Sequence, residues 1–321
     1  MPTLWKPAVF QGSLKKKGYF EGWYFKLINS DESQAMAFIP GVSLTPDGKD
    51  SHAFIMVLDA RAHHMDYITF PLEDFQASKD KFEVKIGDNL FSSRGVELKL
   101  KNITASIKFG DLSPWPVKLY SPGVMGPFAF IPFMECYHGV ISMNHSLSGY
   151  LKKNDEKIDF NQGKGYLEKD WGSSMPSSWI WMQTNHFKED KTSLFGSVAI
   201  IPWLRNYFTG FIFGFLYKGE LYQFTAYNRS KVQHLDVNEK QITITITRKD
   251  LTLKISARRS KGVDLPAPSV GEMSSRVNES LNSTIHLQLL KDKEILFEGE
   301  GSSAGLEFVG DLGELLKGFK K

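Results

Sequence analysis

Apolar and polar residues alternate along much of the chain, and this pattern predicts β-strands over most of its length. The segment Gln241–Arg248 has the sequence QITITITR, in which isoleucines alternate strictly with polar residues. Lys249 and Asp250 supply a turn, and a second alternating run covers Leu251–Ala257. Together these segments predict a β-hairpin with one buried face on each strand.

Shorter alternating runs separated by turn residues occur in both halves of the sequence, as is typical of barrels and sandwiches. We predict further strands over Phe82–Ile86, Val96–Leu100, Ile103–Phe109, Ser283–Leu290, Glu294–Glu298 and Ser303–Val309. Gly299–Gly301 is predicted to be a turn between the last two. The segments 113–132 and 262–279 are predicted to be loops, because they are rich in Pro, Gly and Ser.

Helical spacing is scarce, and its best example lies at the C-terminus. Asp311 is a suitable N-cap, and Glu314 follows it by three residues as in a capping box. Leu312, Leu315 and Phe319 then fall at helical spacing. The pattern therefore predicts a mostly β protein that ends in one short helix packed over a sheet or barrel edge.

The length of 321 residues leaves room for two domains, each with its own core. We place the boundary in the loop around residues 172–178, which gives an N-terminal half of 1–174 and a C-terminal half of 175–321. Aromatic residues make up 13% of the chain. Such richness favours many strands or a pocket with flat apolar walls.

Charge and cysteine content narrow the functional classes. A net charge of +3 is too small to imply nucleic acid as the main partner. The cluster Lys15–Lys17 is predicted to be a solvated turn, although a transient contact with a phosphate or a membrane surface remains open. One cysteine, Cys136, allows no intramolecular disulfide and is compatible with a reducing compartment.

The sequence also bears on where the protein is located in the cell. The first ten residues, MPTLWKPAVF, lack the basic start and apolar core of a signal peptide. The most apolar region, around 200–217, is interrupted by Pro, Arg, Asn and Gly and predicts two buried strands instead of a membrane span. We therefore expect a cytoplasmic protein without a transmembrane segment.

Two segments combine aromatic and charged residues in an unusual way. In FEGWYFK, a strand places Glu21 and Trp23 on one face and Tyr24 and Lys26 on the other. A carboxylate beside a Trp must be paired, or must lose its charge in apolar surroundings.

The second segment is 165–187, where the strand-like Tyr166–Trp171 precedes a loop and another strand. Along that later strand, one face mixes two Trp rings, two amides and a Phe, namely Trp179, Trp181, Gln183, Asn185 and Phe187. Such a mixture suits the wall of a pocket, whereas core rings with amides near a barrel mouth are the simpler alternative. We favour a pocket for the face as a group and predict that Trp23, Trp179 and Trp181 line one cavity.

In order along the chain, these motifs resemble the tocopherol cyclase family. The resemblance is carried by FEGWYFK, by Y-x-E-K-[DN]-W-G at 166–172 and by P-x-x-W-x-W-x-Q-x-N-x-F at 176–187. MECYHGVISMNHSLSGY at 134–150 and LPAPSVGEM at 265–273 extend it over nearly the whole chain. The resemblance implies two lipocalin-like antiparallel β-barrel halves. For plant members it also implies closure of a prenylated hydroquinone to a chromanol ring.

Such a cyclisation needs an acid that protonates an alkene, and aromatic faces that stabilise the resulting cation. Our acid candidates are Glu21, Glu168 and Asp170; Asp170 is the weakest, because the family pattern accepts Asn there. The predicted ligand-binding residues are Trp23, Tyr24, Lys26, Lys169, Trp171, Trp179, Trp181, Gln183 and Asn185. Strand parity places Lys169 on the opposite face from Glu168, which favours a raised pKa for the acid. The alternative for Glu21 and Glu168 is an ion pair with a lysine of their own or of each other's motif.

Other chemistries find less support in the sequence. The eight His residues form neither H-x-x-x-H nor H-E-x-x-H, so we expect no metal site. We found no nucleotide or dinucleotide motif and expect no cofactor. Cys136 and His138 are close enough for a nucleophile pair, although a buried structural Cys is the favoured interpretation. Two functions stay open, namely an acid-dependent cyclase of prenylated or terpenoid lipids and a lipocalin-like carrier or sensor of such lipids.

Overall fold

The computed structural model describes residues 3–132, 134–203 and 206–319. The chain forms two compact units, one of Met1–Met175 with Pro266–Arg276 and the other of Pro176–Leu265 with Val277–Lys321. Within the described residues, no helix has the length and apolar character needed to cross a membrane.

The first sheet is antiparallel and contains most strands of the first unit. In the described residues its strands are β1 (Tyr19–Ile28), β2 (Ala35–Leu44), β3 (His52–Asp59), β4 (His64–Phe70), β5 (Phe75–Ala77), β6 (Glu83–Ile86), β7 (Asn89–Ser92), β8 (Gly95–Lys99), β9 (Ile103–Phe109), β12 (Cys136–Lys153), β13 (Glu156–Asp159) and β14 (Lys164–Gly172). A separate two-stranded ribbon joins β10 (Val117–Lys118) to β11 (Ser121–Pro122). Short 3-10 helices cover Thr3–Trp5, Leu72–Asp74 and Gly126–Phe130.

The order β4-β3-β2-β1-β14-β12-β9-β8-β7-β6-β5 places two of the signature motifs, at 20–26 and 166–172, on adjacent strands, β1 and β14. One hydrophobic core collects side chains from both ends of this sheet, with Phe75 on β5 inside it and Ile68 on β4 packed against it. A sheet whose two ends share one core is curled around its own interior, as in a barrel.

The second sheet is also antiparallel. In the part of the chain that the structure describes, it consists of β15 (Trp179–Thr184), β16 (His186–Phe187), β17 (Ser193–Trp203), β18 (Asn206–Tyr217), β19 (Glu220–Thr225), β20 (Lys231–Val237), β21 (Gln241–Arg248), β22 (Leu251–Arg258), β23 (Val263–Ser269), β24 (Glu272–Lys291) and β25 (Glu294–Val309). The predicted hairpin is confirmed as β21 and β22, and Ile242, Ile244 and Ile246 are buried in the second core. The helix α1 (Leu312–Lys317) is confirmed too, with the Asp311 side chain accepting from the Glu314 N–H.

Two expectations are wrong. The segment 262–279 is not a loop, because it forms β23 and the first part of β24. Gly299–Gly301 is not a turn, since β25 runs without interruption from Glu294 to Val309. Gly301 instead permits close packing, because a Cβ there would lie 2.5 Å from Thr184 Cγ2 on the neighbouring strand.

Candidate functional site

The two signature strands β1 and β14 are hydrogen-bonded neighbours, with Trp23 opposite Lys169 and Tyr24 opposite Glu168. Alternation divides their residues between two faces. The inner face points into the first hydrophobic core, which includes Trp23, Phe25 and Leu167. The outer face carries Tyr24, Lys26, Tyr166 and Glu168, which are buried but lie outside that core. The motifs therefore present two different chemical environments.

On the inner face, Glu21 and Lys169 form an ion pair in which both side chains are fully buried. Lys169 Nζ lies 2.6 Å from Glu21 Oε1. It also lies 4.7 Å from the centroid of the Trp23 ring and 4.6 Å from that of Trp171. Burial lowers the pKa of Lys169, and the charge of Glu21 opposes that shift. The ammonium is thus stabilised by a carboxylate and two aromatic faces.

The same residues bind the N-terminal strap, by which we mean residues 3–12. Glu21 accepts hydrogen bonds from the N–H groups of Gln11 at 2.8 Å and Gly12 at 2.9 Å. Lys169 donates to the carbonyls of Pro7 and Val9. Trp23 Nε1 donates to the Ala8 carbonyl at 2.8 Å.

Glu21 also accepts from the hydroxyl of Tyr19, whose pKa is raised by burial and by that carboxylate. Both oxygens of Glu21 are therefore engaged in the folded core. This is the ion-pair arrangement that the sequence left open for Glu21, and it suits a positioning role better than proton delivery.

On the outer face, His138 of β12 lies opposite Asp170 of β14 and bridges two carboxylates. His138 Nδ1 is 2.8 Å from Asp170 Oδ1, and Nε2 is 3.5 Å from Glu168 Oε2. The Tyr166 hydroxyl donates to the same Glu168 oxygen at 2.5 Å. We call Tyr166, Glu168, His138 and Asp170 the outer-face cluster.

Electrostatics favour a charged imidazole in this cluster. Burial alone disfavours the cation, but the carboxylates of Asp170 and Glu168 outweigh it and raise the pKa of His138 to about 9. The side chains of His138 and Asp170 are 16% and 24% exposed, whereas that of Glu168 is 7% exposed. The cluster is therefore largely shielded from water, with Asp170 its more exposed carboxylate.

His138 is the residue that sequence reasoning misses, because the sequence pattern offers it only as a partner of Cys136. Strand parity places Cys136 and His138 on one face, but the register that brings Asp170 opposite His138 cannot be derived from parity alone. Cys136 Sγ lies 3.8 Å from Asp170 Oδ1. Burial and that carboxylate raise the pKa of Cys136, so the thiol stays protonated and is a weak nucleophile.

The remaining predicted residues of the first unit are divided between the two faces. Trp171 lies on the inner face and stacks on Tyr137, with ring centroids 5.6 Å apart. Lys26 is buried on the outer face opposite Tyr166.

Gly172 ends β14 with φ +154°, and a Cβ there would lie 2.0 Å from the Glu135 carbonyl oxygen. Only glycine fits that position, which explains its place after Trp171.

In the second unit, β15 presents the mixed face that the sequence predicts. Ile180 and Met182 enter the second hydrophobic core, whereas Trp179, Trp181 and Gln183 are buried outside it. Trp179 Nε1 donates to Glu307 Oε2 at 2.6 Å. Asn185, just beyond the strand, is buried as well. The cavity shared by Trp23, Trp179 and Trp181 stays a prediction.

The second unit also contains an open cleft of about 640 Å³. Its walls are mostly polar and charged, and none of the site residues predicted from the sequence is among them. The lining residues are Glu239, Lys240, Gln241, Arg258, Arg259, Ser260, Lys261, Gly262 and Asn278. This cleft does not suit an apolar ligand.

Comparison with known proteins places these features in a family. Residues 112–310 match the family described as tocopherol cyclase-like. The "Probable tocopherol cyclase, chloroplastic" of Oryza sativa subsp. japonica is 26% identical over 106 residues, which cover 32% of this chain and 23% of that protein. The "Tocopherol cyclase, chloroplastic" of Zea mays is 25% identical over 115 residues, which cover 35% and 24%. The matched segment thus spans about a quarter of the length of these curated relatives.

Solved structures resemble the chain over almost its full length. The crystal structure of CghA with Sch210972 has a TM-score of 0.60 at 9% identity and covers 91% of this chain and 89% of that one. A putative AttH from Nitrosomonas europaea has a TM-score of 0.51 at 12% identity, with coverage of 94% and 93%. At such identities the likeness shows the fold alone. It confirms the predicted fold class, mostly β with two lipocalin-like halves and a short C-terminal helix.

Proposed function

Because the chain belongs to the tocopherol cyclase-like family, we propose that it is an enzyme that protonates an alkene of a prenylated quinol or another terpenoid lipid. Ring closure, or addition of a nucleophile, then follows at the resulting cation. The observation that carries the proposal is the outer-face cluster, which β12 and β14 build within the matched residues.

Glu168 is the proposed proton donor. When its O–H bond breaks, a C–H bond forms at the less substituted alkene carbon and a tertiary cation remains on the neighbouring carbon. The donor form of the cluster has its proton on Glu168 and a neutral His138. The carboxylate left on Glu168 accepts from the Tyr166 hydroxyl and then favours the imidazolium form of His138. Both groups stabilise charge that develops only as the proton leaves, which is the condition for lowering a barrier.

Asp170 has a positioning role in this proposal. Its carboxylate accepts from His138 Nδ1 and favours the imidazolium next to Glu168. An Asn side chain at this position also offers an oxygen to Nδ1, which agrees with the family pattern at 170. A positioning role is therefore compatible with either Asp or Asn at position 170, whereas proton donation would require the carboxylic acid of Asp.

The cation and the phenol complete the reaction. Tyr24 lies directly opposite Glu168 on the outer face and supplies an aromatic face for the cation, worth about 2 kcal/mol when desolvated. The phenolic oxygen attacks the cation, a C–O bond forms, and the phenolic proton returns to Glu168. The cyclisation is thus an isomerisation without net proton uptake.

The test is turnover of a panel of prenylated hydroquinones and terpenoid alkenes, followed by mass spectrometry. A general acid contributes roughly 10²–10⁴-fold, so we expect Glu168→Gln to lose at least a hundredfold in kcat while ligand binding persists. Asp170→Asn should retain more activity than Glu168→Gln. Glu97→Gln is the matched control, because Glu97 also accepts from a hydroxyl, that of Ser106, but on an exposed face.

Full turnover by Glu168→Gln would show that the acid lies elsewhere. The lipocalin-like carrier remains the second candidate, since a fully ion-paired Glu21 is also what a binding protein tolerates in its core. Tight binding of prenylated quinols by the parent, with no product from any substrate in the panel, would favour the carrier and exclude the catalytic roles.

A further inference from the structure

A small ribbon in the first unit exposes two adjacent large apolar residues. β10 and β11 pair Val117 with Pro122 and Lys118 with Ser121, so that Leu119 and Tyr120 form the tip. Leu119 is 81% exposed and Tyr120 is 69% exposed. Leu119 is the most exposed large hydrophobic residue of the described ranges. We call the segment 117–122 the apolar hairpin.

The base of the apolar hairpin is firmly packed. Trp115 before it and Val124 after it are buried. Trp5 of the N-terminal strap donates from Nε1 to the Leu119 carbonyl at 3.1 Å. The Trp5 ring also meets the half-exposed Phe130 edge to face, with centroids 5.8 Å apart. The packed base therefore holds the backbone of the tip in place, while the side chains of Leu119 and Tyr120 are exposed to solvent.

Within its own stretch of sequence, the hairpin carries charge of one sign. The sequence from 112 to 134 contains no Asp or Glu, and its one charged residue is Lys118, next to the tip. Lys6, next to Trp5, adds a second cation, opposed by Asp80 at 3.8 Å. Aromatic residues with a polar edge, together with lysines, are the residues that bind the head-group region of a bilayer.

We propose that the apolar hairpin inserts Leu119 and Tyr120 into the interfacial layer of an anionic lipid bilayer. The size of the surface favours lipid over protein. An aromatic side chain buries about 150–250 Å², so the exposed parts of this small group offer only a few hundred Å². A stable protein interface uses roughly 800 Å² per partner. A convex two-residue tip with a neighbouring lysine suits a bilayer, where each lysine near an anionic surface adds about 1 kcal/mol.

The inference is independent of the proposed reaction, and vesicle flotation tests it directly. We expect the parent protein to float with vesicles of phosphatidylcholine and phosphatidylglycerol at a 7:3 ratio, and less with phosphatidylcholine alone. The double variant Leu119→Ser/Tyr120→Ser should lose at least tenfold in partitioning, equivalent to about 1.4 kcal/mol. Ile295→Ser/Leu296→Ser is the matched control, because those residues are exposed on β25, and it should bind within twofold of the parent.

A second measurement locates the contact. An environment-sensitive dye on Leu119→Cys, in a Cys136→Ser background, should shift to the blue when the mixed vesicles are added. Thermal melting of each variant checks that the fold is retained. A parent protein that does not float, a double variant that floats like the parent, or a dye that does not respond would each overturn the inference. Self-association that is lost in the double variant would assign the tip to a second copy of the chain instead.

Discussion

Replacing Lys169 by Met removes the buried cation that joins the two signature motifs. Lys169→Met keeps an unbranched side chain between Trp23 and Trp171 but leaves the carboxylate of Glu21 in the core without its 2.6 Å partner. Removing one partner of a buried ion pair costs about 3–5 kcal/mol, because the remaining charge stays desolvated. The change should therefore destabilise the first unit strongly.

Calorimetry measures this loss. In a unit of this size, 1 kcal/mol corresponds to about 2–4 °C, so the transition of the first unit should fall by about 6–20 °C. Hydrogen exchange should also show faster exchange at Gln11 and Gly12 in the N-terminal strap, because both amides donate to Glu21.

A matched control is Lys153→Met, which removes a less buried ion pair. Lys153 Nζ lies 2.5 Å from Asp59 Oδ2; Asp59 is buried, but the Lys153 side chain is 26% exposed, so we expect a smaller loss than for Lys169→Met. The double variant Glu21→Gln/Lys169→Met should recover part of the stability lost by Lys169→Met, because no lone charge remains. If Lys169→Met melts within 2 °C of the parent, or if the double variant is the least stable, the role given to this pair is wrong.

Two further predictions concern histidine charge and the mixed face of β15. The pKa of His138 is raised to about 9, so the charged imidazole stabilises the fold fully below about pH 6.5. This stabilisation, about 3 kcal/mol, is lost as the pH rises through 9. Burial lowers the pKa of His145 to about 3, so its contribution is complete above pH 6.5 and is lost as the pH falls. Urea midpoints between pH 4 and 9.5 should therefore peak near pH 6.5, and His138→Gln should flatten the alkaline side only; an unchanged alkaline slope would refute the assignment. Trp181→Ala should weaken binding of an apolar fluorescent probe at least tenfold with its thermal transition retained, and unchanged binding would remove Trp181 from the pocket.

Strand periodicity predicts much of this fold because each strand buries one face. The alternation over 241–258 gives β21 and β22 almost residue for residue. The prediction of a loop over 262–279 is wrong because it rests partly on two prolines, which are disfavoured in central strands. Among the strands of the described residues, β23 pairs with β24 alone, so Pro266 and Pro268 lie on an edge strand, where a missing N–H is tolerated.

The site is harder to predict because it depends on register. Parity correctly places Glu21 and Trp23 on one face, and Glu168 and Lys169 on opposite faces. It cannot show that Lys169 lies diagonally across from Glu21 and forms an ion pair with it. Sequence distance similarly conceals His138, which becomes the neighbour of Asp170 only when β12 pairs with β14.

The most direct test of the proposed acid chemistry is turnover in deuterated water. An acid-triggered cyclisation of a prenylated hydroquinone should give a product of unchanged formula that carries one non-exchangeable deuterium on the carbon protonated by Glu168. Mass spectrometry should show this product for the parent and for Glu97→Gln, and a loss of at least a hundredfold for Glu168→Gln. A cyclised product without carbon-bound deuterium, or one formed equally by Glu168→Gln, would contradict proton delivery by the outer-face cluster.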